Sequence, residues 1–159
     1  MNTKSDDKPR RRLRPTAHLE VVADGHILRL EAAGPFSKAL VIYLFLMGRN
    51  LLADTVRQNI PYAVVITFHQ SLRMTPDAIQ QLIDLLDDTE RRGGPPPLAT
   101  AYVINPEIEG ARLMLPILAD IYRKTRAFEA FSSGADADAW VHSLLGQAGT
   151  HKAQGEQKF

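Results

Sequence analysis

The residues best suited to chemistry lie in one polar loop that follows a strongly apolar segment. His69, Ser71 and Arg73 come directly after the run 63–68, and Thr75 closes the loop. Open α/β sheets bind ligands at the carboxyl ends of their strands, so a loop in this position is a candidate site. A histidine and a serine two residues apart do not form a triad, because the base must approach the nucleophile from elsewhere in the fold. The loop is therefore a candidate contact site for a partner and not a predicted catalytic centre.

The rest of the chain carries no catalytic or metal-binding signature. The five histidines are scattered, and no pair has a carboxylate at metal-ligand spacing. The absence of cysteine excludes a disulfide, a thiolate nucleophile and a zinc–thiolate site. A glycine–proline loop at 93–97 lacks the lysine of a phosphate loop. Four acidic residues recur at the spacing of a solvated helix face: Asp84, Asp87, Asp88 and Glu90. We predict that the protein is not an enzyme and holds no cofactor or metal.

Length and charge favour one small soluble domain. The 159 residues suffice for a single core. The net charge of +1 combines +4 in residues 1–15 with −3 in the remainder, and a mildly acidic body argues against nucleic-acid binding. The longest apolar run, Ala39 to Met47, is nine residues, whereas a membrane span needs about 20. No apolar segment follows the basic start as in a secretory signal. We therefore expect a cytoplasmic protein without a membrane span.

The hydropathy pattern predicts the element order β-β-α-β-α-β-α-β-α in a single domain over residues 17–146. Residues 1–16 are predicted to be a disordered basic arm, and residues 147–159 a polar flexible tail. Three strands are each reached through a helix, which favours parallel neighbours. The expected fold is α/β, with a mixed, mostly parallel sheet of about five strands and about four helices. Asn105 is expected to cap the third helix, from Glu107 to Lys124.

The first predicted helix, from about Lys38 to Gln58, has more apolar surface than a sheet can cover. Its second half has a polar face, but its first half is apolar on every side. The apolar side chains that the sheet does not cover must be buried in a contact with something other than the sheet. We expect Ile42, Phe45 and Leu46 to contact either a second copy of the chain in a two-fold homodimer or an apolar ligand.

Two short motifs give this order of elements a family resemblance. The first is the helix start Thr75-Pro76-Asp77-Ala78 after the central strand, and the second is the strand 126–131 followed by Asp138-Ala139-Trp140-Val141. Residues 18–146 resemble the STAS-like proteins, which include the bacterial anti-sigma-factor antagonists and their SpoIIAA-like relatives. The resemblance implies a regulatory or binding role.

The resemblance also implies a phosphorylation site. In the antagonists, a partner kinase phosphorylates a serine that begins the helix after the central strand. The matching stretch is Met74 to Asp77, so the resemblance implies Thr75 as acceptor, with Ser71 as a weaker candidate. A threonine before a proline at a helix start is otherwise an N-cap, which is the interpretation we favour.

Two functions follow from these observations. The leading hypothesis is a non-enzymatic regulatory or protein-interaction module of STAS-like type, with a regulatory protein as partner. The alternative is a binding protein for a lipid-like or apolar small molecule, with the first helix as the wall of its pocket.

Overall fold

The apolar runs of the sequence form the strands of one sheet. The structure, a computed structural model, describes residues 18–24, 26–58, 60–91 and 96–157. The strands are β1 (His18–Asp24), β2 (Ile27–Ala33), β3 (Ala63–His69), β4 (Ala99–Val103) and β5 (Ala127–Phe131). They lie side by side in sequence order; β2 to β5 run parallel, and β1 joins β2 antiparallel.

Four helices complete the described part of the chain. They are α1 (Lys38–Arg57), α2 (Pro76–Arg91), α3 (Ala111–Tyr122) and α4 (Gly134–Gln157). The Ser37 hydroxyl accepts the Leu40 amide at 3.2 Å and so caps the start of α1. The predicted α/β class, with its mostly parallel sheet, is confirmed.

The connections place three helices on one face of the sheet. The helices α1, α2 and α3 connect neighbouring parallel strands in the order β2, β3, β4, β5. Because such crossovers are right-handed and all proceed in the same direction along the sheet, the three helices lie on the same face of it. The helix α4 covers the opposite face, where Ala137 and Val141 pack against Val65 and Ala101. The larger core lies on the first face, and it includes Phe68, Tyr102 and residues of α1, α2 and α3.

The predicted start of the third helix is wrong. The Asn105 side chain accepts the Glu107 amide at 2.9 Å in a turn, but the helix begins only at Ala111. The intervening residues contact the loop after β3, where the Leu72 amide donates to the Glu109 carbonyl at 2.8 Å. Gly110 then turns the chain with φ of 82°, and a Cβ there would lie 2.8 Å from Arg73 Cγ. A contact between distant segments therefore overrides a local capping signal.

The predicted domain boundary at residue 146 stays a prediction; the helix α4 continues past that residue to Gln157. Residues 147–157 contain no proline, and their three glutamines and two alanines favour helix, whereas Gly149 and Gly155 do not. The predicted basic arm at 1–16 lies outside the described residues. None of the helices in the described ranges combines the length and apolarity needed to cross a membrane.

Candidate functional site

A cavity of about 430 Å³ lies between α1 and the sheet face that carries the larger core. Small-molecule sites in proteins have volumes of about 300–1,000 Å³ and mainly apolar walls. The cavity fits that description, since most of its lining is aliphatic or aromatic. Its floor is formed by Leu28, Leu30, Val64, Ile66, Phe68 and Tyr102, and its wall on α1 by Val41, Leu44, Phe45, Gly48, Leu52 and Val56.

The strand register brings the floor residues together. Leu28 pairs with Val64, and Val64 in turn pairs with Thr100; two residues further on, Ile66 pairs with Tyr102. Because side chains alternate between the two faces of a sheet, residues two apart on a strand share this face. Val64 and Phe68 are four residues apart on β3, so the floor is about 13 Å long at about 3.3 Å per residue.

The helix α1 divides the apolar residues that the sequence analysis grouped together. Phe45 is half-buried and lines the cavity. Ile42 is half-buried but does not belong to the lining, and Leu46 is 49% exposed. Tyr43 beside them is 52% exposed. The surplus apolar surface therefore has two parts, one that faces the cavity and one that faces outward.

One end of the cavity is polar. It lies near the amino-terminal edge of the parallel strands and is lined by Tyr62, Thr100, Tyr102, Tyr122 and Arg126. The Arg126 guanidinium donates to the Thr100 hydroxyl at 3.3 Å and lies 5.5 Å from the centre of the Tyr122 ring. The Tyr102 hydroxyl donates to the Tyr122 hydroxyl at 3.1 Å.

Burial favours the protonated form of these tyrosines. It raises the pKa of Tyr102 well above the ordinary value, and the neighbouring Tyr122 raises it further. Burial likewise raises the pKa of Tyr122 and of Tyr62, and the opposing effect of the Arg126 charge is smaller. All three hydroxyls are therefore hydrogen-bond donors throughout the physiological pH range.

Sequence reasoning missed this polar end because it looked at the opposite edge of the sheet. The rule for open α/β sheets directs attention to the carboxyl ends of the strands, where His69 lies. A signal was nevertheless present. Thr100 and Tyr102 are two residues apart in a buried strand, so one face of that strand carries two hydroxyls. Arg126 stands directly before β5, at the same edge as the first of them.

The loop after β3 forms the other end of the cavity, but its polar residues bond elsewhere. Leu72 and Met74 line the cavity. The Ser71 side chain is buried, with 3% exposure, and its hydroxyl accepts the Arg73 amide at 3.1 Å. The Arg73 guanidinium donates to a Glu109 carboxylate oxygen at 3.3 Å. The hydroxyl of Ser71, and secondarily Arg73, lower the pKa of Glu109 by hydrogen bonding to its carboxylate.

The predicted loop residues do not converge on one centre. His69 is exposed and its Nε2 lies 2.9 Å from a Glu31 carboxylate oxygen, on the neighbouring strand. Ser71 bonds to Glu109 and Arg73 instead. Within the described residues, no group of three or more histidine, aspartate and glutamate side chains is arranged to hold a metal ion.

Thr75 caps α2. Its hydroxyl oxygen accepts the Ala78 amide at 3.2 Å, and Pro76 occupies the first helical position, where its missing N–H costs nothing. The hydroxyl proton is directed to the Asp77 carboxylate.

We expect Thr75→Ala to lower the free energy of unfolding by about 1 kcal/mol, the usual cost of losing a side-chain cap. Thr75→Ser keeps the hydroxyl and is the matched control, with no comparable loss. Urea denaturation monitored by circular dichroism measures both. Equal stability of the alanine and serine variants would contradict a capping role.

No protein-family model and no curated protein matches the sequence of this chain.

Proposed function

We propose that this protein binds an apolar small molecule in the cavity between α1 and the sheet. The observation that supports the proposal is the cavity itself, with its volume of about 430 Å³ and its apolar floor and wall. It also accounts for the apolar surplus of α1, because residues such as Leu44 and Phe45 would contact the ligand as well as the sheet. We further propose that the protein acts without catalysis and works in the cytoplasm, where a chain without cysteine is well suited.

Packing energetics favour an occupant. Atoms that border a void lack partners on one side and lose dispersion contacts that a bound molecule restores. Gly48 carries no side chain at the point where α1 faces the floor; a Cβ there would lie 3.1 Å from Leu28 Cδ2. The helix can therefore lie close to the sheet at Gly48. Leu44 and Leu52, each about one turn from Gly48, line the cavity.

We expect Val64→Phe to reduce the affinity for the neutral fluorescent probe Nile red by about tenfold or more, because the larger ring fills the middle of the floor. Filling an apolar cavity commonly leaves stability unchanged or raises it by about 0.5–2 kcal/mol. The matched control is Val103→Phe. Val103 is also half-buried, but it packs on the opposite face of the sheet. A parent protein that does not bind the probe, or a Val64→Phe variant that binds it equally well, would contradict the proposal.

A second candidate function is supported by the outward part of the apolar surplus. Tyr43 and Leu46 are about half exposed on α1, and exposed apolar patches are typical of interaction surfaces. This candidate is a STAS-like regulatory module that forms a homodimer or binds a protein partner. The order of elements and the helix start at Thr75 support the likeness. Under it, Thr75 is the phospho-acceptor, and a phosphopeptide from native cells that contains Thr75 is its direct test.

For the homodimer, we expect sedimentation velocity to show a dimer for the parent chain and a monomer for Leu46→Glu. A charge placed in an apolar interface is desolvated without a partner, which costs several kcal/mol. Leu113→Glu is the control, since Leu113 is an even more exposed leucine on α3. A monomeric parent would exclude the homodimer.

A further inference from the structure

At the polar end of the cavity, the hydroxyl groups of Tyr122 and Thr100 each have a proton that could be donated to a ligand. The Tyr102 and Tyr122 hydroxyls share one hydrogen bond, so one proton of the pair remains for another group. In that hydrogen bond Tyr122 is the acceptor, so the proton of its own hydroxyl is the one that remains. The Thr100 hydroxyl accepts from Arg126 and has its own proton to donate. Tyr102, Tyr122 and Thr100 are all more than nine-tenths buried, so a ligand is the natural acceptor.

The charged side chains among the described lining residues of the cavity are arginines. Two arginines, Arg49 and Arg126, belong to the lining, and none of the described lining residues is acidic. Arginine keeps its charge at every physiological pH and suits carboxylate recognition. A ligand oxygen with negative charge would therefore complement both the donors and the charge at this end.

We propose that the cavity selects an amphipathic carboxylic acid, with the carboxylate at Thr100, Tyr122 and Arg126 and the apolar body along α1 towards Phe68. This inference rests on the proposed binding function and adds the class of ligand. The floor of about 13 Å, taken at about 3.3 Å per strand residue, suits an elongated body. The far end of the cavity is apolar, with Leu72 and Met74, so a second polar group there would be buried without partners.

A carboxylate fits this end better than a phosphate. It has a single negative charge and two oxygens, which the two hydroxyl protons and one guanidinium can satisfy. A phosphate monoester carries a charge of about −2 and three acceptor oxygens, and removing it from water costs more. Hydrogen bonds to an ionised acceptor are roughly twice as strong as neutral ones, which makes the head group the main source of selectivity.

The test is isothermal titration of the full chain with three probes of equal chain length: decanoate, methyl decanoate and decyl phosphate. We expect decanoate to bind about tenfold or more tightly than the methyl ester, the effect of a hydrogen bond to a charged group. Tyr122→Phe keeps the ring and removes the hydroxyl; it should lower the affinity for decanoate and leave that for the ester unchanged. Tyr43→Phe removes an exposed hydroxyl on the outer face of α1 and is the control.

Because Arg126 also packs on the Tyr122 ring, Arg126→Gln is accompanied by Arg126→Lys. Arg126→Gln is expected to abolish the preference for decanoate over the ester, and Arg126→Lys to retain part of it. If none of the probes binds, the proposed binding function itself fails. If decanoate and its ester bind equally and Tyr122→Phe changes neither, apolar binding stands and the carboxylate inference is overturned. Tighter binding of decyl phosphate than of decanoate would also overturn it.

Discussion

Leu118→Asp is expected to leave the chain largely unfolded at room temperature. Leu118 lies in α3, is fully buried and belongs to the larger core. An unpaired charge in an apolar interior costs several kcal/mol, and the lost packing of a leucine adds about 2–5 kcal/mol. Small domains have a total stability of only about 5–15 kcal/mol, so the sum removes most of it. Far-ultraviolet circular dichroism and a thermal melt measure the effect.

The same helix supplies the control. Leu113 is 73% exposed and lies in the first turn of α3, where an acidic residue is favourable to the helix dipole. Leu113→Asp is therefore expected to melt within a few degrees of the parent. If Leu118→Asp melted as cooperatively as Leu113→Asp, α3 would not pack on the sheet in the way described.

Gly34→Ala is expected to cost about 3 kcal/mol or more, the upper part of the range for overpacking. A Cβ at this position would lie 2.3 Å from the Ser71 carbonyl oxygen and 2.8 Å from the Phe36 ring. The Gly34 amide also donates to that same carbonyl at 3.1 Å, so the two segments cannot separate without losing a hydrogen bond. The obstacle is backbone, which unlike a flexible side chain cannot rotate away.

Gly134→Ala is the matched control for Gly34→Ala. A Cβ at Gly134 meets nothing within 4 Å, and the residue begins α4, where alanine favours the helix. We expect the control to be neutral or slightly stabilising in urea denaturation. If Gly34→Ala changed the stability as little as Gly134→Ala, the chain at position 34 would lie farther from the Ser71 carbonyl than described.

The fold could be predicted where local pattern and tertiary contacts agree. The apolar runs that became β3 and β4 are buried on both faces, and period and length alone identify them. The start of α3 could not be predicted, because Asn105 and Glu107 form a good local cap signal. The contact of Glu109 with Leu72, which delays the helix, joins residues far apart in sequence.

The cavity could be predicted only in part. The surplus of apolar residues on α1 indicates a second contact surface, and Phe45 indeed lines the cavity. The polar end depends on the hydrogen bond between Arg126 and Thr100. These residues are 26 apart in sequence, and the pairing of strands brings them together. Tyrosine occurs both in the interior and at the surface of ordinary proteins, so its presence in an apolar strand carries little information about a binding site.

The loop after β3 has one side in the cavity and another at the surface. Leu72 and Met74 line the cavity, whereas Arg73 and Thr75 are exposed. A ligand that shifts Leu72 or Met74 therefore shifts the residues that a protein partner would touch. By thermodynamic reciprocity, a partner that prefers the filled form raises ligand affinity by the same factor by which the ligand raises the affinity for the partner. Ligand binding and protein interaction would then be two readouts of one coupled equilibrium, and an assay of either could report on the other.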